Sequence, residues 1–299
     1  MIDMKNAALA LQHFKESRFY ALLQTRTARF TILGIALVLF SGGLYFSVQS
    51  YPVSLTDLNV STLLFITLVL MPLIMIFNAL EFMVSAPALD AHPDFKASFK
   101  TITIGSAINM LPMPGTTLAK LTKLKSMGVS LRQGTLMTML ISLNWLLISG
   151  VFAGICLLLL DLKVYGIVVG AVSFTALIGL ITISVPYWGG MRRCLKVLGV
   201  RLVLVLLAAA QTYLSFKAIG SLSSPAEASL ISISWIFGSA ASVVPAGLGV
   251  SEAISALIAI AIQTSPATAF LAISLTRILN MVTVLPVAAF LWMPNTKKT

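Results

Sequence analysis

The run Thr101-Ile-Thr-Ile-Gly-Ser-Ala-Ile-Asn-Met-Leu-Pro-Met-Pro-Gly-Thr-Thr-Leu-Ala119, followed at once by Lys120, decides how this chain folds. It is long and apolar enough to suggest a membrane-spanning helix, for which about 18 residues suffice. Its centre, Asn109-Met110-Leu111-Pro112-Met113-Pro114-Gly115, forbids an unbroken one, because two prolines and a glycine interrupt the helical ladder. Lys96 and Lys100 precede it, while Lys120, Lys123, Lys125 and Arg132 follow it. Lys and Arg gather on cytoplasmic loops, and a segment that begins and ends on one side has not crossed. The expectation is a re-entrant hairpin, or broken helix, entering from the cytoplasmic face.

The surrounding chain makes the same demand. Of 299 residues, 58% are hydrophobic and 10% charged, against about 25% charged in soluble domains. Other apolar runs cover approximately 29–50, 61–85, 133–160, 164–187, 202–220, 229–263 and 269–291. They are too long and continuous for barrel strands. The net charge of +11 then reflects loop bias rather than nucleic-acid binding. Nothing resembles a cleavable signal peptide, so the first run is expected as an uncleaved anchor. Two cysteines, Cys156 and Cys194, imply no disulfide framework.

Charge parity fixes the threading. Lys5, Lys15, Arg18, Arg26 and Arg29 put the N-terminus inside, and the loop 51–60 carries only Asp57 and lies outside. With 101–119 as a hairpin, Arg192, Arg193, Lys196, Arg201, Lys297 and Lys298 also fall inside, leaving Lys163 and Lys217 outside. Were 101–119 to cross, everything downstream would flip and the bias would vanish.

The run 229–263 is interrupted at Pro245-Ala246-Gly247-Leu248-Gly249. Its first part, 229–244, makes about 24 Å of helix, short of a ~30 Å hydrocarbon core. That favours a second hairpin over two short spans. The order span, span, hairpin, span thus occurs twice, with the two hairpins entering from opposite faces. Such an outline is that of an inverted-topology repeat whose paired breaks mark a substrate site near the midplane. The expected fold is an all-α polytopic membrane protein of about six full spans plus two oppositely oriented re-entrant hairpins. Residues 1–28 form an amphipathic cytoplasmic segment, 29–292 a transmembrane domain with halves near 29–160 and 164–292, and 293–299 a cytoplasmic tail. The expected location is the bacterial cytoplasmic membrane, with both termini cytoplasmic.

Ionisable groups inside lipid are costly and face a partner or a cavity. Glu81 lies near the inner end of the second run, Lys120 follows the first break, Glu252 follows the second, and Arg277 lies mid-span. Asn78, Asn109, Asn144 and Asn280 add neutral polarity. Arg277 suits bidentate capture of phosphate or carboxylate, or a fixed pair with Glu252 or Glu81. Glu252 either caps a half-helix or is a switchable partner for Arg277 and, with Glu81, a coupling group. Backbone unwound at Pro112, Pro114 and Gly115, and at Pro245, Gly247 and Gly249, offers N–H groups to an anion. The candidate binding set is Arg277, Glu252, Lys120, Asn109, Gly115, Gly247, Gly249 and Asn280. Lys120, Lys123 and Lys125 also read as loop charges or head-group contacts. No HExxH, Walker A or His/Cys cluster occurs, so neither metal nor cofactor is expected.

The segment Ile108 to Gly115 with Lys120 and Gly128-Val-Ser-Leu131, and Val244-Pro-Ala-Gly-Leu-Gly-Val-Ser-Glu-Ala253, resemble the two signatures of the lysylphosphatidylglycerol synthase transmembrane-region family. The likeness spans roughly 30–292 and maps that family's motif Glu onto Glu252 and a last-span Arg onto Arg277. Ala246 stands where the signature has glycine, and Ile141-Ser-Leu-Asn144 stands where the family places charge. The resemblance implies flippase-like lipid handling without aminoacyl transfer, for which no soluble domain is present among these residues. The expected function is translocation of an anionic phospholipid or lipid-linked envelope precursor. The rivals are a membrane transferase with Glu252 as base and a non-transporting scaffold. Expected partners are the lipid head group, and a second copy or envelope-biosynthesis enzymes.

Overall fold

Capped first turns make helices of these runs, as the structure, a computed structural model, records for residues 26–51, 58–110, 114–240 and 247–293. Residues 1–25 of the amphipathic segment, Pro112, Pro245 and the tail from 294 onward lie outside the described residues. The described residues form helices and no strand: α1 (Arg26–Ser50), α2 (Val60–Leu89), α3 (Phe95–Ile108), α4 (Gly115–Ser126), α5 (Leu131–Leu159), α6 (Lys163–Ser184), α7 (Met191–Ala218), α8 (Pro225–Ser232), α9 (Ser234–Ala240), α10 (Val250–Ala261) and α11 (Pro266–Trp292). Asp94 caps α3, Ser130 with Gln133 boxes α5, Ser224 with Glu227 boxes α8, and Ser265 caps α11. In α2 a π turn, Ile66–Leu70, precedes Pro72 and takes up the ring that would clash with the preceding turn.

Five helices, α2, α5, α6, α7 and α11, are long and apolar enough to cross a membrane. This is a multi-pass, all-helical membrane protein. Its outer faces are apolar, as at Val38, Leu159, Val164 and Phe290. α1 has a shorter apolar portion, Gly34–Ser50.

At both interruptions the chain folds back on itself. A Cβ on Gly115 would stand 2.5 Å from the carbonyl oxygen of Gly105, so α3 and α4 touch backbone to backbone. A Cβ on Gly247 would stand 2.6 Å from Cα of Gly238, which brings the second break against α9 in the same way. Gly247 and Gly249 have φ of 65° and 78°, the left-handed region that only glycine enters without strain.

α6 packs on α5, and α1 packs on α11, where the missing Cβ of Gly43 admits the ring of Phe270. Likewise α2 packs on α3 as α7 packs on α8, and α2 and α7 pack on each other. One apolar cluster (Phe82, Ile102, Leu124, Trp188, Val197) gathers the first broken pair, and another (Phe216, Ile231, Ala259, Ile273) gathers the second.

The α5–α6 seam is glycine on glycine. Gly150 and Gly154 face Ser173, Gly166 and Gly170, and a Cβ on Gly154 would meet Cα of Gly170 at 2.5 Å. Small residues four apart allow such approach in lipid. Gly154→Leu is expected to part the two helices and cost about 1–3 kcal/mol, read as a lower melting temperature of the solubilised chain. An unchanged melt would mean that the seam contributes nothing to stability.

Candidate functional site

Between the two breaks lies a cavity of about 440 Å³. Both broken pairs wall it. The first contributes Thr103, Asn109, Pro114, Thr116 and Lys120, and the second Trp235, Gly238 and Gly247. α2 adds Asn78 and Glu81, α5 adds Ser142 and Trp145, α7 adds Arg201 and Gln211, and α11 adds Arg277 and Asn280.

Two charge groupings stand in its wall. In one, Glu81 is 1% exposed and sits between two cations, Lys120 with its Nζ 3.6 Å from Oε2 and Arg201 in contact with Oε1. Arg201 also lies over the ring of Trp145, its Cζ 5.4 Å from the centroid. In the other, Arg277 donates from Nε to Glu252 Oε1 at 2.6 Å and from Nη2 to Oε2 at 3.2 Å. The same Nη2 donates to the carbonyl of Gly247, and the guanidinium lies 5.2 Å over Trp235. Glu252 in turn accepts from the Gly249 N–H at 2.9 Å. It therefore caps α10 and holds Arg277 at once, and the two roles are one.

The two groupings differ in balance. Glu252 and Arg277 neutralise each other, and together they clamp the second break. Lys120 and Arg201 share a single carboxylate and leave a formal charge of +1 on the cavity wall. Cationic surplus carried by buried side chains on a cavity wall favours an anion. Arg201 Nε and Thr103 Oγ1, both buried and both of cavity-lining residues, have no hydrogen-bond partner among the described residues.

Of the binding residues expected from sequence, Arg277, Lys120, Asn109, Gly247 and Asn280 line the cavity. Asn109 also fixes the first break, accepting from the Thr116 N–H at 3.0 Å and donating to its hydroxyl at 2.8 Å. Glu252, Gly115 and Gly249 stand behind the wall as clamp, helix contact and cap. Glu81, expected as a coupling group, lines the cavity between Lys120 and Arg201. Asn144 is buried outside the lining with neither amide atom partnered among the described residues.

Arg201 is the residue that sequence reasoning assigned to the cytoplasmic loop charges. It lies ten residues into α7 and is 8% exposed. The signal was available: Cys194, Val197, Arg201, Leu204 and Val205 recur at helical spacing and form one buried stripe. Arg192, Arg193 and Lys196 fall off that stripe.

Comparison with known proteins returns nothing: no family model, curated protein or solved structure matches the chain.

Proposed function

We propose that the chain moves an anionic phospholipid, or a lipid-linked envelope precursor, between the leaflets of the bacterial cytoplasmic membrane. The observation that carries this reading is the pair of buried cations, Lys120 and Arg201, sharing one carboxylate in the wall of a cavity inside an apolar body. An anionic head group enters and neutralises the surplus, while its acyl chains stay in the bilayer along the apolar outer faces of the helices. The resemblance of the two break motifs to the lysylphosphatidylglycerol synthase transmembrane region points the same way.

In this reading α1, α2, α5, α6, α7 and α11 are the six spans. α3–α4 and α8–α10 are re-entrant hairpins that enter from opposite faces, and both termini are cytoplasmic. Arms of 14 and 12 residues reach about 21 and 18 Å, short of a ~30 Å core. The reciprocal packing of α1 on α11 and α6 on α5 supports an inverted repeat. A transferase with Glu252 as base gains no support, because that carboxylate is 0% exposed with both oxygens engaged.

Lys120→Met tests the reading without breaking the fold's charge balance, since Glu81 keeps Arg201 one to one. Proteoliposomes holding the intact chain are expected to speed leaflet exchange of a labelled anionic phospholipid. Lys120→Met should cut that exchange roughly tenfold or more, with lipid masses unchanged by mass spectrometry. Equal exchange by the variant would remove the cavity as the path, and a new lipid mass would put the transferase first.

A further inference from the structure

Glu81 is a residue whose charge is placed to choose among anions. Lys120, Arg201 and Glu81 sum to +1, and the other grouping, Arg277 with Glu252, sums to zero. All five side chains are buried. In such surroundings the cost of stripping water from an ion rises with the square of its charge, so the favoured guest is one that cancels the wall and no more. A phosphodiester carries one negative charge. A phosphomonoester carries about −1.5 to −2 at neutral pH, so it would leave a buried negative excess against the Glu81 carboxylate. The cations suit either phosphate: Lys120 and Arg201 both line the cavity, and arginine matches phosphate oxygens in fork geometry.

We infer that Glu81 sets the charge selectivity of the cavity, holding it to monoanionic phosphodiester head groups and against phosphomonoesters. The inference rests on the reading of the cavity as an anion site and adds what kind of anion it takes. The lever is one carboxylate. Glu81→Gln keeps the shape and raises the wall from +1 to +2, which a dianion then matches.

The test is competitive binding to the full chain in detergent, using short-chain phosphatidylglycerol as diester and short-chain phosphatidic acid as monoester. Short-chain phosphatidylcholine serves as the zwitterionic reference. The wild-type protein is expected to prefer the diester over both. Glu81→Gln should shift the diester-to-monoester ratio toward the monoester by roughly tenfold, as expected for one added charge near the ligand. Both anions bound with an unmoved ratio would overturn the selectivity assignment while leaving the anion site standing. Wild-type binding of neither anion above phosphatidylcholine would overturn the anion site itself. Arg201→Met supplies the opposite arm where Glu81→Gln gives no folded protein. It lowers the wall to neutral and leaves Lys120 paired with Glu81. Loss of affinity for the diester with phosphatidylcholine binding unchanged supports the inference, and retained preference for the diester overturns it.

Discussion

Replacing Glu252 with glutamine is expected to destabilise the protein by about 3–5 kcal/mol, among the largest effects of any single substitution in the chain. The reason is what stays behind. Arg277 is 4% exposed, and without its bidentate carboxylate it becomes a buried charge with no counter-ion, for which costs of that size are usual. The double variant Glu252→Gln/Arg277→Met should recover most of the loss, because it removes both charges and leaves an apolar side chain over Trp235. Unfolding of the solubilised wild-type, single and double variants measures this directly. A double variant no better than the single would show that the unpaired Arg277 charge is not the source of the loss. Leaflet exchange by the refolded double variant adds a second result. Retained exchange assigns the pair to holding the break, and lost exchange makes it part of the moving machinery.

Gly247→Ala is expected to cost about 3 kcal/mol or more. A left-handed φ costs a side chain roughly 1–2 kcal/mol, and at 65° Gly247 is in that region. The added methyl would also stand 2.6 Å from Cα of Gly238, where backbone cannot yield as a side chain can, and forced overlap adds about 1–3 kcal/mol. Gly128→Ala is the matched control. Its φ is 88° but nothing lies within 4 Å, so only the conformational part applies. Melting temperatures of the two variants should therefore differ clearly. Equal shifts would mean that α9 and the second break do not pack as closely as their glycines allow.

Much of this was legible in the chain. Proline and glycine clusters inside apolar runs have few meanings, so the breaks near Pro114 and Gly247 could be placed. Ionisable residues isolated within apolar surroundings, Lys120, Glu252 and Arg277, drew attention for the energy they cost there. Partners were harder. Glu81 meets Lys120 and Arg201 from two other helices, and no periodicity within one run encodes a meeting across three. Arg201 was hidden by its company, since three other basic residues precede it within ten positions. Only its place on the buried stripe of α7 separates it from them. The glycine contact of Gly105 with Gly115 was likewise invisible, because an isolated glycine says nothing about which backbone approaches it.

The reciprocal seating of α1 on α11 has a consequence for how the protein is made. α1 is complete at residue 50 and its partner begins at 266. At about 5–20 residues per second of synthesis, α1 waits some tens of seconds for α11. Through that interval Gly43 looks out on lipid or on the translocation machinery, and the ring of Phe270 closes the gap when it arrives. Birth order and docking order are reversed at this joint. A nascent chain arrested before residue 266 therefore displays the Gly43 face of α1 as an unclaimed surface.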